Sequence, residues 1–309
     1  MKPFQLTLSN KSILAGIRNI PSISASPKDR PLIVGLHGGT YDSGYFDANE
    51  THSASHASSA FGVPFVAIDR PSYSGTSSLI PIPEGSDFPC ETGLWLHKFI
   101  LPALWSNFGV ANQCNCIVLL CHSMGTMGGV VAAAMHAQDE TVSYPLGGII
   151  VSGLGDKSLP SNGDPPVQQT HVPPNHGLFP VEAKDSLMFR PGTVHPEILA
   201  LSEQLNVPSP LEEAQGLYTG WVQSWRERWA ANVVAPVMFA LVEQDCFFEG
   251  TEEHLKSCVG AFTSSIRVDG SLVRGAPHCM ELSYWSQGRY ARSFGFAMEC
   301  AASFAYSSC

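Results

Sequence analysis

Short apolar runs alternate with stretches of helical character along most of this chain. Most of the apolar runs lack the polar–apolar alternation of a half-exposed strand, which is typical of strands buried on both faces of a parallel sheet. The predicted strands of this kind lie at residues 32–36, 65–68, 117–120, 148–151, 237–242 and 265–268. Two earlier runs, at 4–8 and 13–17, flank a polar turn and predict an N-terminal hairpin. The pattern as a whole predicts an α/β fold.

One region interrupts this alternation. Between about residue 156 and residue 232 no good strand is predicted, the first part is rich in proline and glycine, and helical pieces follow at 197–205 and 211–229. A long irregular connection inside a compact fold is often a lid or a binding loop. We therefore expect residues 1–155 to form the first part of a core domain, 156–232 a cap or lid insertion, and 233–309 the second part of the core. The second part ends in a predicted helix at 289–304, with one apolar stripe.

Composition narrows the function classes. Hydrophobic residues make up 44% of the 309 residues and charged residues 14%, as in folded globular chains. A net charge of -10 without a Lys/Arg cluster argues against a nucleic-acid partner. No segment resembles a signal peptide or a membrane span, and the nine cysteines form no C-x-x-C pair. We expect a cytoplasmic protein, and homodimer formation is left open.

The segment from Cys121 to Gly125 carries the strongest chemical signal. It lies between a predicted strand and a helix of small residues, and a serine in a strand–turn–helix context is typical of a hydrolase nucleophile, here Ser123. The turn exposes the hydroxyl and directs the first helical N–H groups toward the substrate. Residues two before and two after the serine must be small: Gly125 fits, whereas Cys121 stands where glycine is usual. The adjacent His122 is interpreted as packing against the pocket or tuning it.

A serine nucleophile needs a base, and the base needs a group that orients it. In hydrolases with a strand–turn–helix nucleophile the chain order is serine, acid, histidine. His278, in a Gly/Pro loop before the last helix, is the predicted base. Asp245 follows the strand before the last one and is the predicted acid, with Glu243 and Asp156 as open alternatives.

A loop after the strand at 32–36 is predicted to supply the oxyanion hole. It reads His37-Gly38-Gly39-Thr40, and its glycines allow the backbone to approach a substrate oxygen. The predicted donors are the N–H groups of Gly39 and Met124, and His37 and Thr40 are expected to border the substrate. A turn at Asp69 and Arg70 lies at the same rim and is expected to be structural, with a substrate role as the alternative.

Aromatic residues in the insertion bear on the substrate. They lie near one face of a predicted helix and are Tyr218, Trp221, Trp225 and Trp229. If this face lines the site, the substrate is apolar or aromatic and fairly large. The alternative is that the tryptophans dock the insertion on the sheet. We name Trp221 and Trp225, together with His122, as predicted substrate contacts. The histidines of the insertion lack metal-ligand spacing, so we expect no metal and no cofactor.

With these motifs in order, the chain resembles the α/β-hydrolase fold family in its lipase- and esterase-like branch. The resemblance extends from Leu32 to the C-terminal helix. It implies a mostly parallel eight-stranded sheet flanked by helices, with a helical cap between strands six and seven. It also implies Ser123 as nucleophile, His278 as base and Asp245 as its orienting acid. In overall character the chain further resembles fungal hydrolases of polyketide-type metabolites, which implies a role in secondary metabolism.

The expected function is therefore a serine hydrolase that cleaves an ester, lactone or thioester of an apolar or aromatic small molecule through an acyl-enzyme. The first alternative is a cyclase, lyase or C–C-bond-cleaving enzyme of secondary metabolism that uses His278 for proton transfer at the same site. The second is a non-catalytic receptor that only binds a ligand in the pocket.

Overall fold

The computed structural model describes residues 1–22, 28–160 and 172–307. The strands, in chain order, are β1 (Lys2–Thr7), β2 (Ile13–Asn19), β3 (Pro31–Leu36), β4 (Phe65–Ile68), β5 (Cys116–His122), β6 (Leu146–Ser152), β7 (His176–Gly177), β8 (Ser209–Pro210), β9 (Val237–Gln244) and β10 (Val268–Pro277). Eight of them form one sheet in the order β1-β2-β4-β3-β5-β6-β9-β10, and β7 pairs with β8. The pairs β1–β2 and β2–β4 are antiparallel and the other neighbours in the sheet are parallel.

Helices cover both faces of the sheet. The α-helices are α1 (Ser55–Phe61), α2 (Phe88–Trp95), α3 (Leu101–Leu104), α4 (Gly125–Gln138), α5 (Val181–Met188), α6 (Pro196–Leu199), α7 (Leu211–Gly216), α8 (Val222–Arg228), α9 (Glu252–Val259) and α10 (Ser286–Ser307). Three π-helical turns extend them, at Leu96–Ile100, Trp105–Gly109 and Leu217–Trp221. Short 3₁₀ turns lie at Ser43–Phe46, Val110–Asn112, Ala230–Asn232 and Met280–Leu282.

The central strands are buried from end to end, and their alternate side chains enter two different cores. On β5, Leu119 packs with Val130 of α4 on one face of the sheet. The neighbouring Val118 packs on the other face, with Phe294 of α10. A strand covered on both faces has no polar side, which explains the uninterrupted apolar runs in the sequence. The predicted α/β fold with a mostly parallel eight-stranded sheet flanked by helices is confirmed.

The last strand begins later than predicted. The apolar pattern placed it at 265–268, whereas β10 runs from Val268 to Pro277. Ser265 instead ends a turn, with its N–H donating to the Phe262 carbonyl at 3.2 Å, and its hydroxyl lies 2.8 and 2.9 Å from the carbonyl oxygens of Ala235 and Arg267. β10 is an edge strand with partly exposed positions, so it lacks the continuous apolar run that marks its buried neighbours.

The chain between β6 and β9 contains more regular structure than its sequence indicated. The predicted helical segment 211–229 is observed as α7, a π-helical turn and α8 in succession, ending at Arg228. The segment 197–205 contains only the single turn α6. Helix α5 and the short β7–β8 ladder were not predicted. Residues 161–171 of the predicted cap lie outside the described residues, and the interpretation of this insertion as a cap stays a prediction. Among the described helices, none is both long enough and apolar enough to cross a membrane.

Candidate active site

Ser123 lies in a sharp turn between β5 and α4. Its φ is +50°, a left-handed conformation that is uncommon for a residue with a side chain. Two hydrogen bonds hold the turn: the Ser123 N–H donates to the Ser152 carbonyl at 2.7 Å, and the Thr126 N–H donates to the Ser123 carbonyl at 2.9 Å. The backbone is thus forced into the bend that strand–turn–helix nucleophiles require.

Different neighbouring atoms limit the side-chain size at the two positions that flank Ser123, Cys121 and Gly125. A Cβ on Gly125 would lie 2.5 Å from the Leu36 carbonyl oxygen and 2.6 Å from that of His37, so only glycine fits there. Cys121, which departs from the usual glycine, points its Sγ at α4, where a Cβ on Gly129 would be 2.5 Å from it. A glycine in the facing helix therefore makes room for the cysteine side chain in the strand.

The structure brings Ser123, His278 and Asp245 together. His278 Nε2 lies 3.0 Å from Ser123 Oγ, and His278 Nδ1 lies 3.0 Å from Asp245 Oδ2. His278 and Asp245 are both buried. The other Asp245 oxygen accepts the N–H groups of Phe247 at 2.8 Å and Phe248 at 3.3 Å. This is the relative arrangement of nucleophile, base and orienting acid that serine hydrolysis requires.

The two alternative acids contact other partners. Glu243 accepts hydrogen bonds from Arg274 Nη1 at 2.8 Å and from the Gly275 N–H at 2.9 Å. Asp156 lies 3.1 Å from His254 Nε2. Of the three carboxylates that the sequence left open, Asp245 is the one hydrogen-bonded to His278.

The His37–Thr40 loop lies directly beside Ser123, because β3 and β5 are parallel neighbours in the sheet. A Cβ on Gly38 would come within 3.1 Å of Ser123 Cβ, and one on Gly39 within 3.2 Å of Met124 Cγ. Gly39 and Met124 both line a cavity that also contains Ser123 and His278. Their location is compatible with the predicted role as oxyanion donors.

His37 contacts the loop and not the cavity. Its Nε2 accepts the Arg70 N–H at 3.1 Å, and its Nδ1 lies 2.7 Å from the Gly38 carbonyl oxygen. Burial lowers the pKa of His37 well below its usual value, and Arg70 lowers it further, so the ring is neutral. A neutral ring with Nδ1–H as donor and Nε2 as acceptor satisfies both contacts and holds the loop in place.

His122 points behind His278. Its ring stacks on Tyr45 at 5.0 Å, and its Nδ1 lies 3.3 Å from Ser152 Oγ and 3.7 Å from the Glu281 carboxylate. Burial lowers the pKa of His122 well below its usual value, with the neighbouring His278 acting in the same direction. His122 therefore belongs to a buried polar network and does not line the cavity.

Trp221 and Trp225 also lie away from the cavity that contains Ser123. The two rings stack at 6.0 Å, and Trp225 packs against Phe262 of the core. The Trp225 Nε1–H donates to Asp156 at 3.1 Å. The structure does not bring these tryptophans to Ser123, and their contacts match the alternative in which they dock the insertion on the core.

The cavity beside Ser123 has a volume of about 260 Å³ and is mostly apolar. Its apolar wall comes largely from the insertion and includes Phe179, Leu187, Met188, Leu211 and Leu217. The polar side chains in its wall, apart from the Ser123 and His278 pair, include Thr40, Lys184 and Glu213. Most of these residues were missed as site candidates because no motif marks them: they come from segments that are far apart in the chain and meet only in the folded structure.

The turn after β4 connects the core to the insertion. Arg70 and Glu213 form a buried ion pair, in which Arg70 Nη2 lies 3.1 Å from Glu213 Oε2, and the Tyr73 hydroxyl donates to the same carboxylate. Asp69 accepts the N–H groups of Ser43 and Gly75, each at 3.1 Å. These contacts support the structural interpretation of this turn over a substrate role.

One cluster of side chains has the spacing of a metal site. The ligand atoms of Asp156, His254 and Cys258 lie within 4.8 Å of one another. However, the Arg226 guanidinium lies 2.5 Å from Asp156 and already neutralises this carboxylate. A cation bound by Asp156 would lie close to this guanidinium and be repelled by it, so the cluster is better suited to fastening α8 to the core than to holding a metal.

Comparison with known proteins gives the same picture of the fold. A family model described as "Alpha/beta hydrolase family" matches residues 33–286. A thermophilic esterase from Thermogutta terrifontis is similar in structure, with a TM-score of 0.61, 15% identity, and 97% of this chain and 99% of that chain covered. A monoacylglycerol lipase from Paleococcus ferrophilus has a TM-score of 0.56 and 14% identity, with 93% and 99% covered.

A third similar structure is a thioesterase domain from the curacin biosynthetic pathway, with a TM-score of 0.54, 15% identity, and 96% of this chain and 99% of that chain covered. No curated protein sequence matches this chain significantly. At such low identities, the structural similarities demonstrate only a shared fold. The family model is the comparison that matches most of the sequence, residues 33–286.

Proposed function

The chain belongs to the alpha/beta hydrolase family, and from this membership we propose that it is a serine hydrolase acting on an ester, lactone or thioester of a small apolar or aromatic molecule. The observation that carries the proposal is the 3.0 Å contact between Ser123 Oγ and His278 Nε2, with Asp245 on the other ring nitrogen. Membership of the α/β-hydrolase family supports the interpretation of this contact as a serine nucleophile and its base.

In the proposed first step, His278 Nε2 takes the Ser123 proton while Ser123 Oγ attacks the carbonyl carbon. The carbonyl oxygen becomes an oxyanion, which the Gly39 and Met124 N–H groups stabilise. Asp245 holds the Nδ1–H of the ring and stabilises the imidazolium that forms.

In the second half of the reaction, the bond to the leaving group breaks and His278 gives its proton to the departing alcohol or thiol. The acyl group stays on Ser123 as an ester. His278 then takes a proton from water, whose oxygen attacks the acyl carbon through a second oxyanion. Collapse of that intermediate releases the acid and returns the proton to Ser123.

The cavity wall supports an apolar substrate. Residues such as Leu187 and Leu217 would bury its hydrocarbon part, while the reacting carbonyl lies between Ser123 and Gly39. Thr40, a predicted substrate contact, also lines the cavity, and its hydroxyl is buried without a hydrogen-bond partner. We propose it as a polar contact for the substrate. The proposal thus places substrate contacts on the insertion and Thr40, and not on the two tryptophans.

The reaction class also draws support from the similar structures, which are named as an esterase, a lipase and a thioesterase. The eight cysteines within the described residues are all free, which supports the proposed reducing, cytoplasmic setting. The setting in secondary metabolism rests on the sequence resemblance alone.

The decisive test compares the wild type with Ser123→Ala on p-nitrophenyl butyrate. Loss of the nucleophile should lower kcat by about 10⁴-fold or more, since the members of such a triad act as a unit. Ser186→Ala is the matched control, because Ser186 is an exposed serine of the insertion and should leave the rate unchanged. A fluorophosphonate should label Ser123 in the wild type, as read by peptide mass spectrometry. Hydrolysis by Ser123→Ala at the wild-type rate would contradict the proposal.

A further inference from the structure

Lys184 is an unusual charged residue in the wall of the cavity. It belongs to α5 of the insertion and its side chain is 1% exposed. Its Nζ donates to the carbonyl oxygens of Thr40, at 2.9 Å, and of Leu205, and it lies 3.7 Å from the centre of the Tyr41 ring. Within the described parts of the chain, no carboxylate forms an ion pair with it. Burial lowers the pKa of Lys184 to about 7.

A buried ammonium group without a carboxylate partner is energetically unfavourable. Two carbonyl dipoles and an aromatic face offset part of this desolvation. A methionine or leucine at the same position would fill the space without any such penalty. Because the lysine is energetically costly at this position, we expect it to have a role that an apolar side chain could not perform.

The partner of Lys184 identifies that role. Thr40 directly follows Gly39 and has a φ of +64°, a strained conformation for a β-branched residue. Its carbonyl accepts two hydrogen bonds from the insertion, one from Lys184 Nζ and one from the Val207 N–H at 3.0 Å. The strained end of the oxyanion loop is thus held from outside the core domain.

We propose that Lys184 is a positioning residue for the reaction: by holding the Thr40 carbonyl, it fixes the loop that presents the Gly39 N–H to the oxyanion. The inference rests on the proposed function. Without this anchor, Thr40 can relax toward a negative φ, and the two glycines before it offer little resistance. The insertion would then complete the oxyanion hole in addition to lining the cavity.

Lys184→Met tests this role, because methionine is similar in length and lacks both the charge and the donors. We expect kcat for p-nitrophenyl butyrate to fall about 10- to 100-fold, somewhat less than the loss of a whole oxyanion donor. KM should change less than about threefold, because most of the cavity wall that would bind the substrate is apolar and lies outside this loop.

Arg226→Met is the matched control. Arg226 is also a cation of the insertion that contacts the core, through the Ser257 carbonyl oxygen of α9 at 2.8 Å, and its hydrogen bonds go to Asp156 and Ser257 and not to the oxyanion loop. If Lys184 acts only as a general fastener of the insertion, both variants should lose activity alike. We expect the Arg226→Met kcat to stay within about threefold of the wild type.

Chemical rescue separates positioning from packing and remains informative if Lys184→Met folds poorly. In Lys184→Ala, propylammonium can replace the missing part of the side chain, and it should raise kcat at least fivefold, whereas 1-propanol of similar size should not. Circular dichroism, recorded with and without each additive, monitors the fold. Equal rescue by both additives, no rescue by propylammonium, or a Lys184→Met kcat within threefold of the wild type would each overturn the role of Lys184.

These outcomes differ from a failure of the proposed function. If the wild type neither hydrolyses the ester nor reacts with a fluorophosphonate at Ser123, both proposals are overturned. If hydrolysis depends on Ser123 but is insensitive to Lys184, only the positioning role is overturned.

Discussion

At the scale of single residues, the turn at Ser123 depends on small residues that make room for their neighbours. Cys121 is accepted in a position where glycine is usual because Gly129 faces it. Gly125 has no such compensation, since the atoms that crowd it are backbone carbonyl oxygens. A departure from the expected motif is therefore tolerated at one position and excluded at the other.

The facing pair predicts non-additive stabilities. Gly129→Ala alone should lower the free energy of unfolding by about 1–3 kcal/mol, because the new methyl group overlaps Cys121 Sγ. In a Cys121→Gly background the same substitution should be close to neutral or stabilising, since alanine favours a helix over glycine by about 1 kcal/mol. Urea unfolding of the four proteins measures the coupling. Equal effects of Gly129→Ala in both backgrounds would contradict this account.

Asp245, the proposed orienting acid, gives a second prediction at this scale. Asp245→Asn should lower kcat by about 10⁴-fold, because an amide cannot stabilise the imidazolium and favours the wrong ring tautomer. Glu243→Gln is the control, two residues away on the same strand end and bonded to Arg274. It should stay within about threefold of the wild type when both are assayed on p-nitrophenyl butyrate. A larger loss in Glu243→Gln than in Asp245→Asn would reverse the assignment.

At the scale of elements, a few buried polar contacts join the insertion to the core. The Arg70–Glu213 pair connects the turn after β4 to α7, the Asp156 cluster connects α8 to α9, and Lys184 connects α5 to the His37–Thr40 loop. Each contact links segments far apart in the chain. Loss of any one of them should therefore lower the free energy of unfolding.

The Arg70–Glu213 pair can be tested by unfolding. Glu213→Gln should lower the free energy of unfolding by about 3–5 kcal/mol, because it leaves the Arg70 charge buried without its partner. The double variant Arg70→Met/Glu213→Leu should recover much of that loss. Glu227→Gln, an exposed change on α8, should stay within about 0.5 kcal/mol. A double variant as unstable as Glu213→Gln would show that the buried charge is not the cause.

At the scale of the whole molecule, the parallel sheet collects the site at one edge. Gly39 follows β3, Ser123 follows β5, Asp245 follows β9 and His278 follows β10. The carboxyl ends of parallel strands meet at the same edge, which is where α/β proteins place their ligands. Most of the residues that line the cavity at this edge belong to the insertion.

The cavity volume predicts selectivity for acyl chain length. Ala214→Phe adds a ring to the cavity wall on α7, so kcat/KM should fall at least tenfold more for p-nitrophenyl hexanoate than for the acetate. Gln215→Phe adds the same ring at the next residue, outside the cavity lining, and should leave the ratio unchanged. If both variants shift the ratio equally, the cavity does not bind the acyl chain.

The sequence by itself determined the strand order along the chain, the turn at Ser123 and the candidate histidine. These signals are local: a buried strand needs a continuous apolar run, and a tight turn needs small residues within a few positions of the serine. The position of the edge strand β10 was predicted incorrectly, because a partly exposed strand lacks the continuous apolar run that marks a buried one.

Only the tertiary structure decided which carboxylate meets His278, where His122 and the two tryptophans point, and which residues line the cavity. All of these depend on contacts between segments far apart in the chain, such as Lys184 with Thr40. Neither hydrophobic periodicity nor motif spacing predicts which residue, far away in the chain, a side chain will contact. The chemistry of the candidate site could therefore be predicted from the motifs. The residues that line the cavity and hold the loops in place could not, because they depend on how the insertion packs against the rest of the protein.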